Sequence, residues 1–184
     1  MPALFSFDEI TKADTKNWIS IENAPEMCCT DLKEIIDNVA HNQLIAFNSA
    51  GKFSLYDLVE GLVNRFDIPS SIYLSTYGVS EPAIRRLANM KHRNQLETLY
   101  CVLDHRVAQR QPKAFALLSS IADEITYQES HAKITCIEND EFCITILGSQ
   151  NWTRNTKHEA GVLLCSRMIT HFYKNYISAL FDDR

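Results

Sequence analysis

The sequence predicts an α/β fold: a mixed, mainly parallel sheet flanked by helices. Three observations predict it. Short β-branched apolar runs alternate with longer stretches whose apolar residues recur at helical spacing, the pattern of strand-helix-strand units with right-handed crossovers. Ser, Pro and Gly stand at the junctions, where helices start and turns form. Near the C-terminus, two apolar runs flank a polar turn, a hairpin that adds antiparallel pairing.

The elements follow in order. Residues 1–25 lack periodicity and read as an N-terminal arm; residues 26–184 read as one domain. From Glu26 to Ala40, Met27, Leu32, Ile35, Ile36 and Val39 recur at helical spacing, with Thr30 as a cap for the main part. Gln43–Asn48 is a short buried strand, and Ser54 opens a helix over Leu55, Leu58, Val59, Leu62 and Val63. After Pro69, Ser71–Thr76 is a strand; Ser80 opens a helix with Pro82 near its first turn. Glu97–Asp104 is a strand, His105–Gln111 a polar connection, and Pro112–Asp123 a helix. Ile125–Gln128 is a strand ahead of the hairpin, whose arms are Ile134–Ile137 and Phe142–Leu147 around Glu138–Glu141. Glu159–Cys165 is the last strand, and Ser166 opens the closing helix to Phe181.

Bulk properties narrow the function classes. At 184 residues the chain is long enough for a proper core. It has no apolar run long enough to span a membrane, and the N-terminus does not read as a signal peptide. Its six cysteines form no CxxC pair or zinc spacing, and most lie in apolar surroundings, as expected of a reducing cytoplasm. Net charge is −5, which argues mildly against a nucleic-acid binder. Charge is uneven, however. Residues 84–113 hold seven basic and two acidic side chains, either a solvated helix face or a surface that steers a polyanion.

The chemistry concentrates around the hairpin. Alternation along a strand places His131 and Lys133 on one face, and Ser149 and Asn151 on one face. Gly148 permits close approach of backbone or ligand. An imidazole can attack phosphorus covalently, while an ammonium and an amide hold the non-bridging oxygens. Each residue has a blander alternative. Lys133 fits an edge-strand charge, Asn151 a turn, and Glu159 a surface carboxylate.

His131-x-Lys133, acidic Glu138, Gly148-Ser149-x-Asn151 and the later Glu159 resemble the phospholipase D superfamily, whose signature is HxKx4D…GSxN. Glu138 stands where that signature has Asp, and the interval to Gly148 is longer. The layout resembles the family over roughly residues 40–184. The resemblance implies that His131 is the nucleophile of a phospho-histidine mechanism and Glu159 the carboxylate that orients an imidazole. Lys133 and Asn151 would hold phosphate, with Ser149 supporting them. Glu138 at the turn reads as structural. Arg106 and Trp152 are candidate substrate-binding residues, and Tyr77-Gly78 follows a strand's carboxyl end, where α/β proteins place ligand loops.

This mechanism uses two histidines and the chain carries one motif, so a homodimer with the site at its seam is expected. No cofactor or metal is expected. The first reading is a nuclease acting on nucleic acid. The alternatives are a phospholipase or small-molecule phosphodiesterase, and a catalytically impaired polyanion-binding module.

Overall fold

The computed structural model describes residues 26–182 apart from position 155; the expected arm over residues 1–25 lies outside them. Eight strands form one sheet: β1 (Glu26–Cys29), β2 (Gln43–Asn48), β3 (Ser70–Thr76), β4 (Leu96–Leu103), β5 (Glu124–Tyr127), β6 (Ile134–Glu138), β7 (Cys143–Gly148) and β8 (Ala160–Cys165). The helices are α1 (Leu32–Asn38), α2 (Leu55–Phe66), α3 (Glu81–His92), α4 (Val107–Arg110), α5 (Pro112–Ile121) and α6 (Arg167–Asp182).

The spatial order is β1-β2-β8-β7-β6-β3-β4-β5. The sheet is mixed, as expected, but its parallel share is smaller than the strand-helix alternation implied. Pairs β1–β2, β3–β4 and β4–β5 are parallel, while β2–β8, β8–β7, β7–β6 and β6–β3 are antiparallel. The physical reason is insertion. The hairpin β6–β7 and the strand after it fill the gap between β2 and β3, so antiparallel ladders run through the centre.

Most elements fall where the sequence places them. Asp57 accepts the backbone N–H of Ser54 at 2.9 Å and fixes the start of α2. Pro82 stands in the first turn of α3. Three differences arise. Glu26–Cys29 is not helix but β1, in register with Leu44–Phe47 of β2. The ladder offered by the β2 edge outweighs the apolar spacing shared with α1. Consequently Asp31, not Thr30, caps α1, accepting from Glu34 N–H at 3.0 Å. Finally, the polar connection after β4 contains the single turn α4.

Helices cover both faces. On one face, Leu58, Leu62, Ile84, Leu87 and Leu118 pack with Ile72, Ile137, Ile144 and Ile146 of the sheet. On the other, α6 lays Ile177, Tyr173 and Tyr176 over Val102, Ile134 and Cys136. Burying side chains at roughly 25 cal/mol per Å² of apolar area drives both contacts. Of the six free cysteines, all except Cys28 are buried, and burial pushes the Cys136 thiol up to about 12 and Cys165 to about 11. They behave as small core hydrophobes. Among the described residues, no helix is long and apolar enough to cross a membrane.

Candidate active site

Strand direction gathers the site. β3 and β4 run parallel, so Tyr77 and Asp104 follow them at the same end of the sheet. β6 is antiparallel to β3, so its beginning, with Lys133 before it, lies at that end too. β7 finishes there at Gly148, and β8 starts there after Glu159. In the sheet, β5 and β6 are separated by β3 and β4. The segment 128–133 therefore crosses over both strands, anchored by Gln128 N–H to Leu103 O at 2.9 Å.

His131 and Lys133 precede β6 rather than lying on it, yet they meet. Lys133 Nζ is 3.2 Å from Nδ1 and 3.4 Å from Nε2 of His131, and donates to the His131 carbonyl at 2.9 Å. His131 is exposed and Lys133 half-buried. Burial lowers Lys133 below the ordinary lysine value, opposed by the charges of Glu159 and Tyr77.

Ser149 and Glu159 form a second pair: the Ser149 hydroxyl donates to the Glu159 carboxylate, and the Ala160 N–H donates to Ser149 Oγ at 3.2 Å. Gly148 makes this possible. A Cβ there would stand 2.6 Å from Ala160 O and 2.9 Å from Gly161 Cα, backbone that cannot step aside. Asn151 is held differently, its Oδ1 accepting from Thr76 Oγ1 at 3.3 Å, beside Gly78. Thus Ser149 supports a carboxylate, whereas Asn151 flanks the loop after β3.

The centre of this surface is Tyr77, which the sequence marked only by position. Its ring centroid lies 4.8 Å from that of His131 and 5.9 Å from Lys133 Nζ. Arg106 Cζ is 5.0 Å and Arg110 Cζ 5.4 Å from the same centroid. Arg110 also donates to the Tyr77 hydroxyl at 2.9 Å. Arg106 is fixed by a fork to Asp104, Nε to Oδ1 at 2.7 Å and Nη2 to Oδ2 at 2.9 Å. That guanidinium holds the Asp104 carboxyl far below the usual carboxylate range, against the opposing effect of burial, and Arg106 is raised in turn. Arg110 escaped sequence reasoning except as one charge among seven.

Two expectations need correction. Trp152 has no face for a base: it is 1% exposed and its indole N–H donates to Thr135 Oγ1 at 3.1 Å. It is a core residue because the chain after Asn151 turns inward, with Val79 and Trp152 bridging. Nor does the basic stretch form one open surface. Arg85 pairs with Glu81, Arg86 and Arg93 with Glu60, and Lys91 with Asp123. Of its charges, Arg106 and Arg110 reach the Tyr77 cluster.

Glu138 ends β6 at the opposite edge, roughly 16 Å from Lys133 at strand rise. It accepts from His171 Nε2 at 3.0 Å and from Lys174. Burial would raise its carboxyl, but those partners outweigh burial and hold it lower than usual. Among the described residues, the one cluster with metal-ligand geometry is Glu138, Cys143 and His171, at this far edge, and Lys174 already neutralises its carboxylate.

No protein-family model matches the chain, and no curated protein matches its sequence. Solved structures do. Nuc of Salmonella typhimurium, a phospholipase D family member, superposes with a TM-score of 0.58 at 17% identity, over 76% of this chain and 94% of that one. NucT from Helicobacter pylori gives 0.55 at 13%, over 76% and 97%. Polyphosphate kinase from Porphyromonas gingivalis gives 0.55 at 18%, over 85% of this chain but 28% of the kinase. These likenesses show that the chain shares its fold with Nuc and NucT.

Proposed function

We propose that this chain is a metal-independent phosphodiesterase, a nuclease that works through a covalent phospho-histidine at a homodimer seam. The observation that carries this reading is the Lys133 ammonium beside the His131 ring, on an exposed surface where further cations converge. An imidazole nucleophile needs a neighbour that stabilises charge on the attacked phosphoryl group, and Lys133 stands in that place.

In the first step, a His131 ring nitrogen bonds to phosphorus and the bond from phosphorus to the leaving oxygen breaks. That oxygen takes a proton from His131 of the partner subunit. In the second step, the partner imidazole removes a proton from water, the resulting oxygen bonds to phosphorus, and the P–N bond breaks. Lys133 and Asn151 hold the non-bridging oxygens, Glu159 orients an imidazole, and Ser149 fixes Glu159. Each protomer supplies one histidine, so neither is sufficient alone. The buried free thiols fit a cytoplasmic setting.

Labelled single- and double-stranded DNA and RNA, incubated with excess EDTA, test the reading against His131→Ala. Cleavage that survives EDTA and vanishes in the variant is expected, together with acid-labile phosphate on the wild-type protein after rapid quenching. Cleavage abolished by EDTA, or equal in the variant, overturns it.

A further inference from the structure

We infer that Tyr77, Arg106 and Arg110 form a subsite for a second phosphate on the same substrate molecule, which makes that substrate a polynucleotide strand rather than a singly phosphorylated lipid. The inference rests on the nuclease reading and names the substrate class of that site.

His131, Lys133, Arg106 and Arg110 all approach one ring within 6 Å. The direct carboxylate partner among these contacts is Asp104, on Arg106; Glu129 acts on Arg106 and Glu159 on Lys133 through space. Gathering guanidinium and ammonium groups is unfavourable unless an anion shares the space, and the tyrosine face offsets part of that repulsion.

Tyr77 follows β3, whose neighbours are β4 on one side and β6 on the other. Arg106 and Arg110 come after β4; His131 and Lys133 come before β6. The guanidinium pair and the His131–Lys133 pair thus come from strands on opposite sides of β3, two spacings apart at the backbone, roughly 10 Å. One phosphate taken on the His131–Lys133 side of the ring leaves the Arg106 and Arg110 guanidinium groups on the other side for a second phosphate of the same strand.

Arg106 is locked by a carboxylate with 1% exposure, and the Nη1 protons take no part in that fork. Arg110 is steadied by the Tyr77 hydroxyl. Held guanidinium groups recognise phosphate at low ordering cost. A lipid diester offers one phosphate and leaves this second pair unused.

The test uses thymidine dinucleotide TpT and its singly phosphorylated isomers pTpT and TpTp. The readout is the ratio of kcat/KM for each isomer to that for TpT, within each protein. Wild type should favour one isomer about tenfold at low salt, chiefly through KM. Arg110→Ala should bring the ratio near one, Arg110→Lys should restore part of it, and Tyr77→Phe, which removes only the hydroxyl, should lower it partway. The same ratio is read from binding to inactive His131→Ala by competition with a fluorescent oligonucleotide, so the outcome does not depend on turnover. No isomer preference in wild type, or a preference that survives Arg110→Ala, overturns the subsite. Hydrolysis of phosphatidylcholine vesicles with none of the dinucleotides would instead overturn the nuclease reading beneath it.

Discussion

Lys133 Nζ stands 3.2 Å from His131 Nδ1, although neither residue belongs to a strand. Both sit on the connection that leads into β6. Burial depresses Lys133. Chemistry that needs the ammonium is present below its pKa and lost as pH rises through it. The alkaline limb of kcat/KM should therefore fall earlier than about 10.4, the ordinary lysine value. Lys133→Arg keeps its charge throughout and should move that limb out of range. An unchanged limb in Lys133→Arg would remove Lys133 from this role.

A seam built from two histidines makes a quantitative demand on mixed dimers. When wild type and His131→Ala are unfolded and refolded together, only wild-type pairs carry both groups. Activity should follow the square of the wild-type fraction. A linear dependence would mean that each protomer works alone.

Trp152 should report on stability rather than on substrate. Trp152→Ala leaves a cavity and an unpaired Thr135 hydroxyl, and should cost about 3–5 kcal/mol in urea unfolding. Trp152→Phe keeps most of the volume and should cost about 1–2 kcal/mol. Oligonucleotide affinity of the folded Phe variant should stay at the wild-type value; a loss there would return the indole to the binding surface.

Glu138 should likewise prove structural. Glu138→Gln weakens its contacts with His171 and Lys174, which are partly exposed, and should cost about 1–2 kcal/mol. Its folded carboxyl lies below the unfolded value of about 4.3. The stabilisation is full above that value and disappears as pH falls through the folded one. Wild type and variant should converge in acid, with kcat near neutral pH little altered. A large fall in kcat would tie the far edge to catalysis.

Local signals were legible where local physics decides. Ser54 and Pro82 announce helix starts, and the hairpin is written in alternating apolar residues. The spacing of His131, Lys133, Ser149, Asn151 and Glu159 is legible as a linear motif, although all five lie outside the strands themselves. What stayed hidden depends on pairing across distance. β1 looks helical until β2 supplies its ladder. Trp152 looks available until the chain is seen to turn inward. Tyr77 and Arg110 lie in separate connections, and only the adjacency of β3 and β4 unites them.

The strand order also times the protein's own assembly. β6, β7 and β8 occupy the middle of the sheet, yet they are synthesised after both halves that they join. β2 and β3 therefore emerge before the strands that will finally separate them. Such distant pairings form slowly and late. The Ser149–Glu159 pair in turn forms only when β8 enters its slot beside β7.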